Sequence, residues 1–257
     1  MSSNDPTTPE GVAGPARDRV YAAPRATIPP FEFNDGVAAV FDDMASRSIP
    51  GYSNAVAMAS LIAARYGRPG AHGYDLGCSL GATLISMARG GPDSMRWIGV
   101  DSSPSMIERC RVRLKESIPD RNWSLRLEDV AETPIENASL VALNFTLQFI
   151  ALENRADLLG RIAKGLVPGG ALILSEKIQF ADPKTQEAIG DLHLDFKRAQ
   201  GYSELEISQK RTALENTLIP ETEETHHQRL KEAGFGCSVT WMRSLNFVSI
   251  LALRTEG

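Results

Sequence analysis

The chain has 257 residues, 42% of them hydrophobic and 23% charged, with a net charge of −5, which fits one globular domain with additions. The acidic balance and the lack of a basic run give no electrostatic footprint for nucleic acid. No apolar stretch reaches the roughly 18–20 residues of a membrane span, so direct nucleic-acid and membrane contacts are not expected. The first residues do not read as a signal peptide. Three widely spaced cysteines, Cys78, Cys110 and Cys237, predict reduced thiols rather than a disulfide framework or a zinc site. A cytoplasmic protein without a bound metal is the expectation.

Residues 1–30 hold six of the fifteen prolines and few large apolar side chains, which predicts a disordered arm. Residues 31–257 read as a single domain. Val37, Val40, Phe41 and Met44 predict an amphipathic helix over 34–47. A turn at 49–53 leads to a second helix, 53–66, closed by Gly67. Tyr52, at the break, is a core aromatic or a ligand contact, and residue type alone favours core. These two helices could cover the carboxyl edge of a sheet. From residue 72 strands and helices alternate. Strands are predicted at 72–75, 95–100, 123–127, 140–143 and 171–174, ending near Asp75, Asp101, Glu128-Asp129, Asn144 and Glu176. Helices at 80–89, 103–116 and 153–165 separate them, with Ser103 and Pro104 as cap and first-turn residues. Pro168-Gly169-Gly170 reads as the turn into the fifth strand. Helical stretches follow at 184–199, 203–217 and 221–233, then a hairpin of 236–242 and 246–253. The expected architecture is α/β and Rossmann-like, mostly parallel, with an antiparallel C-terminal edge hairpin. The N-terminal helices and a helical insertion at about 184–217 supply its cover.

The informative stretch is 73–82, where a strand ends on Asp75, turns through Gly77 and Gly81 and opens a helix. Such a turn offers backbone N–H groups to a polar ligand. The dinucleotide pattern G-x-G-x-x-G is not met, because Cys78 and Ser79 stand where a further glycine would let a pyrophosphate approach. A nucleoside with little or no phosphate suits the turn better, and NAD suits it poorly. In an open α/β sheet the ligand sits outside the carboxyl ends of the strands, so Asp75, Gly77, Asp101, Asp129 and Asn144 are candidate contacts. Asp101 follows Gly81 by twenty residues, the spacing at which a carboxylate reaches both ribose hydroxyls. Asp129-Val130 can offer a carboxylate and an N–H to an adenine edge. Singly, each aspartate reads as well as a helix cap or turn residue; together, the strand ends favour nucleoside binding.

The glycine turn, the Asp101 strand end, Glu128-Asp129 and 166–176 resemble class I S-adenosylmethionine-dependent methyltransferases. Four longer stretches, 40–54, 74–81, 137–149 and 195–211, resemble the carboxy-S-adenosyl-L-methionine synthase family, and the resemblance spans about 31–254. It implies a class I methyltransferase fold that does not transfer a methyl group. Members convert S-adenosylmethionine and prephenate to carboxy-S-adenosylmethionine and phenylpyruvate. The product feeds a tRNA carboxymethyltransferase that builds 5-oxyacetyl uridine at the wobble position. By motif, the family's ligand contacts fall on Tyr52, Gly77, Cys78, Ser79, Asp101, Ser102, Asp129, Val130 and Asn144. Its arginine for the added carboxylate falls on Arg211, reaching across a homodimer interface. Ser102 stands where relatives are expected to carry asparagine.

The chemistry needs cationic fixation of carboxylates and exclusion of water more than a protein base. The methyl carbon of a sulfonium is weakly acidic, and prephenate, on aromatising, releases carbon dioxide and hydroxide. Arg211 can grip a carboxylate bidentately. Lys197, Arg198 and Lys210 make 193–211 locally basic, although each alone reads as part of a solvated helix face. His193 is the nearby general-base candidate, against a surface or packed histidine. Two other readings stay open: a conventional S-adenosylmethionine-dependent methyltransferase on the same fold, and a non-enzymatic S-adenosylmethionine-binding protein that docks a tRNA-modifying partner.

Overall fold

A computed structural model describes residues 16–255. Its centre is a seven-stranded sheet in the order β3-β2-β1-β4-β5-β7-β6. The strands are β1 (His72–Leu76), β2 (Arg96–Asp101), β3 (Asn122–Leu127), β4 (Ala138–Asn144), β5 (Leu166–Lys177), β6 (Phe235–Ser244) and β7 (Phe247–Arg254). The first five pair in parallel, while β7 is antiparallel to both β5 and β6. This is the class I methyltransferase fold. Strands buried on both faces read as continuous apolar runs rather than alternating ones, which is why 138–143 is buried throughout.

Helices α3 (Tyr52–Tyr66), α4 (Ala82–Gly90) and α5 (Pro104–Ser117) cover one face. Ala59, Leu84, Met87, Cys110 and Leu114 pack there on Trp97 and Ala142. Helices α6 (Leu152–Gly165) and α9 (Glu223–Glu232) cover the other, with Leu158, Leu159, Ile162 and Leu230 against Leu143, Leu174 and Ile250. Local chemistry sets the starts of the helices. Ser103 caps α5 by accepting from the Met106 N–H, with Pro104 in the first turn. Ser203 and Glu206 form a reciprocal capping box on α8 (Glu204–Leu214).

The structure departs from the sequence expectations in several places, and α3, expected over the carboxyl edge, packs on a sheet face instead. The helix expected over 34–47 is two, α1 (Asp35–Ala38) and α2 (Phe41–Ser48). β5 starts at Leu166, pairing with Ala138, and absorbs Pro168-Gly169-Gly170 as an irregularity in the β4–β5 register. The arm expected over 1–30 lies outside the described residues for 1–15, while residues 16–30, mostly exposed, are anchored to the domain at a few points. Asp18 and Tyr21 are buried, and Asp18 accepts from the Tyr202 hydroxyl at 2.6 Å. Gln209 on α8 accepts from the Arg25 N–H and donates to the Tyr21 and Ala23 carbonyls, each at 2.9 Å. This segment, α1, α2, α8 and α7 (Pro183–Ala199) form the cover over the sheet's carboxyl edge.

Candidate active site

The chain order reverses between β1 and β4, and ligands of such sheets bind outside the strand ends at that point. A cavity of about 440 Å³ opens there, within the range of small-ligand sites. It is lined by Tyr52, Gly77, Cys78, Ser79, Asp101, Ser102, Asp129, Val130 and Asn144, so nine of the expected site residues are brought together. Arg211 is not: it is exposed on the last turn of α8 and absent from the lining. Its charge nonetheless reaches Lys177 and Lys197, which do line the cavity.

The glycine turn behaves differently from its sequence expectation. The Gly77 and Cys78 N–H groups both donate to the Val100 carbonyl, at 2.8 and 2.9 Å, and the Ser79 N–H donates to Asp101 Oδ2 at 2.9 Å. These amides are spent inside the protein, so the turn provides close approach rather than N–H donors. Phosphate would find no amide cradle in these three residues. Gly77 has φ +80°, and a Cβ there would run into the Thr146 side chain. Gly81, also at φ +80°, would place a Cβ 2.8 Å from Cys110 Sγ. Ser79 and Phe145 also sit at positive φ and line the cavity. Strained backbone of this kind gathers at functional sites.

Asp101 is the best-defined acceptor. One oxygen takes the Ser79 N–H and the other the Ser103 N–H, each at 2.9 Å. A carboxylate has about four lone-pair sites, so each oxygen keeps one for a ligand hydroxyl. Burial pushes its carboxyl up, against the lowering effect of those N–H groups. Asp75, a candidate contact from its strand end, is buried and does not line the cavity; desolvation raises its pKa to about 7, and its Oδ2 has no partner among the described residues. Asn144 donates to Thr83 Oγ1 at 2.8 Å and leaves Oδ1 buried without a partner. Unpaired buried acceptors call for a donor. Cys78 is no nucleophile, because its contact with Cys110 and its burial hold the thiol well above its ordinary pKa. Tyr52, the first residue of α3, lines the cavity and also packs on Phe145 with centroids 6.0 Å apart. Burial keeps its hydroxyl protonated and a donor.

Part of the wall was not foreseen. The loop after β4 carries Phe145, Thr146, Gln148 and Phe149 into the cavity. Buried Glu176 fixes it by accepting from the Leu147 and Gln148 N–H groups at 2.9 and 2.8 Å. Buried Arg155 ties it from below through the Gln148 and Ile150 carbonyls. The lysines correct the sequence expectation: Lys197 and Lys210 line the cavity rather than a solvated face. Arg198 is exposed as expected, paired with Asp195 and Glu204. Lys177, one residue past the expected end of the fifth strand, joins them. A strand-end reading extended to β5 would have found it. His193 is buried, with Nε2 2.9 Å from the Ser48 carbonyl, and desolvation lowers its pKa to about 3. It is a packed neutral imidazole whose Nε2–H donates to that carbonyl.

Residues 74–170 match the family model described as "Methyltransferase domain". The chain is 52% identical over 243 residues to carboxy-S-adenosyl-L-methionine synthase of Trichlorobacter lovleyi, covering 92% of this chain and 98% of the relative. It is 48% identical over 245 residues to the enzyme of that name from Hahella chejuensis, covering 93% and 99%. Among solved structures it resembles magnesium protoporphyrin IX methyltransferase of Synechocystis, which holds S-adenosylhomocysteine. The TM-score is 0.58 at 18% identity, over 79% of this chain and 83% of that one. It also resembles the complex of a putative methyltransferase with its Trm112 activator from Haloferax volcanii, with TM-score 0.59 at 14% identity, over 86% and 97%. These two likenesses concern the fold.

Proposed function

The chain belongs to the carboxy-S-adenosyl-L-methionine synthase family, and on that premise we propose that it carboxylates S-adenosylmethionine with prephenate as the carboxyl donor, releasing phenylpyruvate. The observation that carries the reading is the charge layout of one cavity, whose lining includes Asp101 and Asp129 together with Lys177, Lys197 and Lys210. A sulfonium nucleoside suits the acidic side and a carboxylate-bearing donor the basic side. When bound, S-adenosylmethionine supplies an acidified methyl carbon, and the donor supplies carbon dioxide and a base.

The chain's own residues then bind, orient and keep water out. Asp101 accepts from the ribose hydroxyls, and Asp129 with the Val130 N–H meets the adenine edge. Ser102 contributes through its backbone. The crowded turn at Gly77, Cys78 and Ser79 fits a ligand without phosphate, and Asn144 offers its unpaired Oδ1 to the methionine moiety. Tyr52, Phe145 and Phe247 form a train of ring contacts at 6.0 Å each, an apolar floor that excludes water where the two ligands meet. Burial and neighbouring lysines make the His193 ring hard to protonate, and its Nε2 is tied to Ser48, which favours a base delivered by the donor over one supplied by the protein. Arg211 clamps the added carboxylate of a partner subunit in a homodimer, and its exposed position on α8 is compatible with that reach. The product would serve a tRNA carboxymethyltransferase in the cytoplasm. No helix among the described residues is long and apolar enough to cross a membrane.

The test is incubation of the purified protein with S-adenosylmethionine, with and without prephenate. A prephenate-dependent species heavier by one carbon dioxide, appearing with phenylpyruvate, is expected. S-adenosylhomocysteine formation with no such species would refute the proposal and favour methyl transfer.

A further inference from the structure

Lys177 at the end of β5, Lys197 on α7 and Lys210 on α8 come from three elements distant in sequence and converge on one cavity wall. Lys210 is already engaged: its Nζ donates to Ser48 Oγ at 2.9 Å, lies 3.6 Å from Asp18 Oδ2 and stands over the Tyr202 ring. Lys177 and Lys197 differ. Among the described residues neither has a carboxylate within 4.0 Å, while the charge of Arg211 bears on both and those of Lys177 and Lys210 bear on Lys197. Assembling like charges away from water is costly unless an anion offsets it. His193 sits among them as a neutral group and does not offset it.

The position of this cluster along the cavity is set by ring contacts. Tyr52 feels the charges of Asp42 and Asp75, partly offset by Arg113, which pairs with Asp42, and packs on Phe145; Phe145 packs on Phe247, and Phe247 on His193 at 5.2 Å. His193 in turn feels Lys197, Lys177 and Lys210. The cavity therefore runs from an acidic end, across aromatic rings, to a basic end.

We infer that Lys177 and Lys197, with Lys210 as their support, form an anion subsite that holds the carboxylates of the carboxyl donor, a small dicarboxylate. The inference rests on the synthase reading for the identity of that ligand. Two unpaired cations suit two carboxylates. The split between Lys210, anchored by Asp18 and Ser48, and the two unanchored lysines assigns the direct contacts to Lys177 and Lys197. The competing occupant is the methionyl carboxylate of the nucleoside, which would engage the same cations in a different complex.

Calorimetric titration of the S-adenosylhomocysteine-loaded protein with prephenate separates these cases without turnover. Lys177→Gln and Lys197→Gln are each expected to weaken prephenate by about tenfold or more. S-adenosylhomocysteine affinity should stay within about twofold, and Lys197→Arg should restore most of the loss. Thermal melting of each variant checks the fold, and relief of like-charge repulsion should leave it intact. Prephenate binding that is unchanged in both Gln variants overturns the subsite even if wild-type protein forms the carboxylated product. Parallel loss of nucleoside and prephenate binding also overturns it, by assigning the lysines to the methionyl carboxylate. A wild-type protein that binds no prephenate overturns it outright. Lysine-dependent prephenate binding without any carboxylated product keeps the subsite and overturns the reaction instead.

Discussion

Asp101→Asn is the most informative single change at the nucleoside end. The substitution keeps shape but replaces a charged acceptor by an amide with one donor face. In the wild type both oxygens receive backbone N–H groups, from Ser79 and Ser103, at 2.9 Å. The amide's NH₂ must therefore confront one of those N–H donors or turn toward the ligand's hydroxyls. Leaving a buried donor unsatisfied costs about 1–3 kcal/mol, and exchanging charge-assisted bonds for neutral ones roughly halves their strength. S-adenosylhomocysteine affinity is expected to fall by about 10–100-fold, equivalent to about 1.4–2.8 kcal/mol. Calorimetry of that ligand reads the effect without turnover, and urea unfolding of the free protein reads stability separately. A variant that loses stability yet binds the nucleoside within about twofold of wild type would exclude Asp101 from ligand contact. Asp101 would then serve only to hold the glycine turn.

Gly77→Ala places a Cβ against Thr146 at a left-handed φ. It should cost about 1–2 kcal/mol from the backbone alone and weaken the nucleoside with it; a melting temperature and affinity equal to wild type would dismiss that need. Arg211→Ala should shorten retention of the carboxylated nucleoside by more than it weakens plain S-adenosylmethionine, as dissociation rates can show. Equal losses for both would make Arg211 structural, and failure of Arg211→Ala and Asp101→Ala subunits to complement after proven exchange would argue against a shared site. Lys197 and Lys210 are held down to about 7 and about 8, chiefly by desolvation, with Lys177 and Arg211 adding repulsion at Lys197. Each is cationic below its pKa and neutral above it. The donor's KM is therefore expected to rise as pH climbs from about 7 to 9, and a flat KM across that window would contradict the charge assignment.

The sheet was legible in the sequence because buried parallel strands appear as apolar runs, and Asp75, Asp101 and Asn144 mark their carboxyl ends. Caps such as Ser103-Pro104 declare helix starts by local chemistry. Gly77, Asp101, Asp129, Val130 and Asn144 were within reach because strand ends and the glycine turn meet at the reversal of strand order, whereas Tyr52, Cys78, Ser79 and Ser102 came only from the family resemblance. The direction of the turn's amides was not legible, since only the fold shows that Val100 and Asp101 absorb them. Nor was the anchoring of residues 16–30, whose proline content says nothing of bonds from Asp18 to Tyr202 or from Gln209 to Tyr21. Charged helix residues read alike whether they face water or a cavity, so Lys197 and Lys210 became distinguishable from Arg198 only once α7 and α8 were placed over the sheet.

Carboxyl transfer is distinguished from methyl transfer most directly by an isotope label. Prephenate carrying carbon-13 in its ring carboxylate is incubated with S-adenosylmethionine and the protein, and the nucleoside products are weighed. The expected product is a carboxylated nucleoside that carries the label in full. An unlabelled carboxylated product would mean that the carbon comes from elsewhere, and unchanged S-adenosylmethionine or S-adenosylhomocysteine alone would rule out carboxyl transfer.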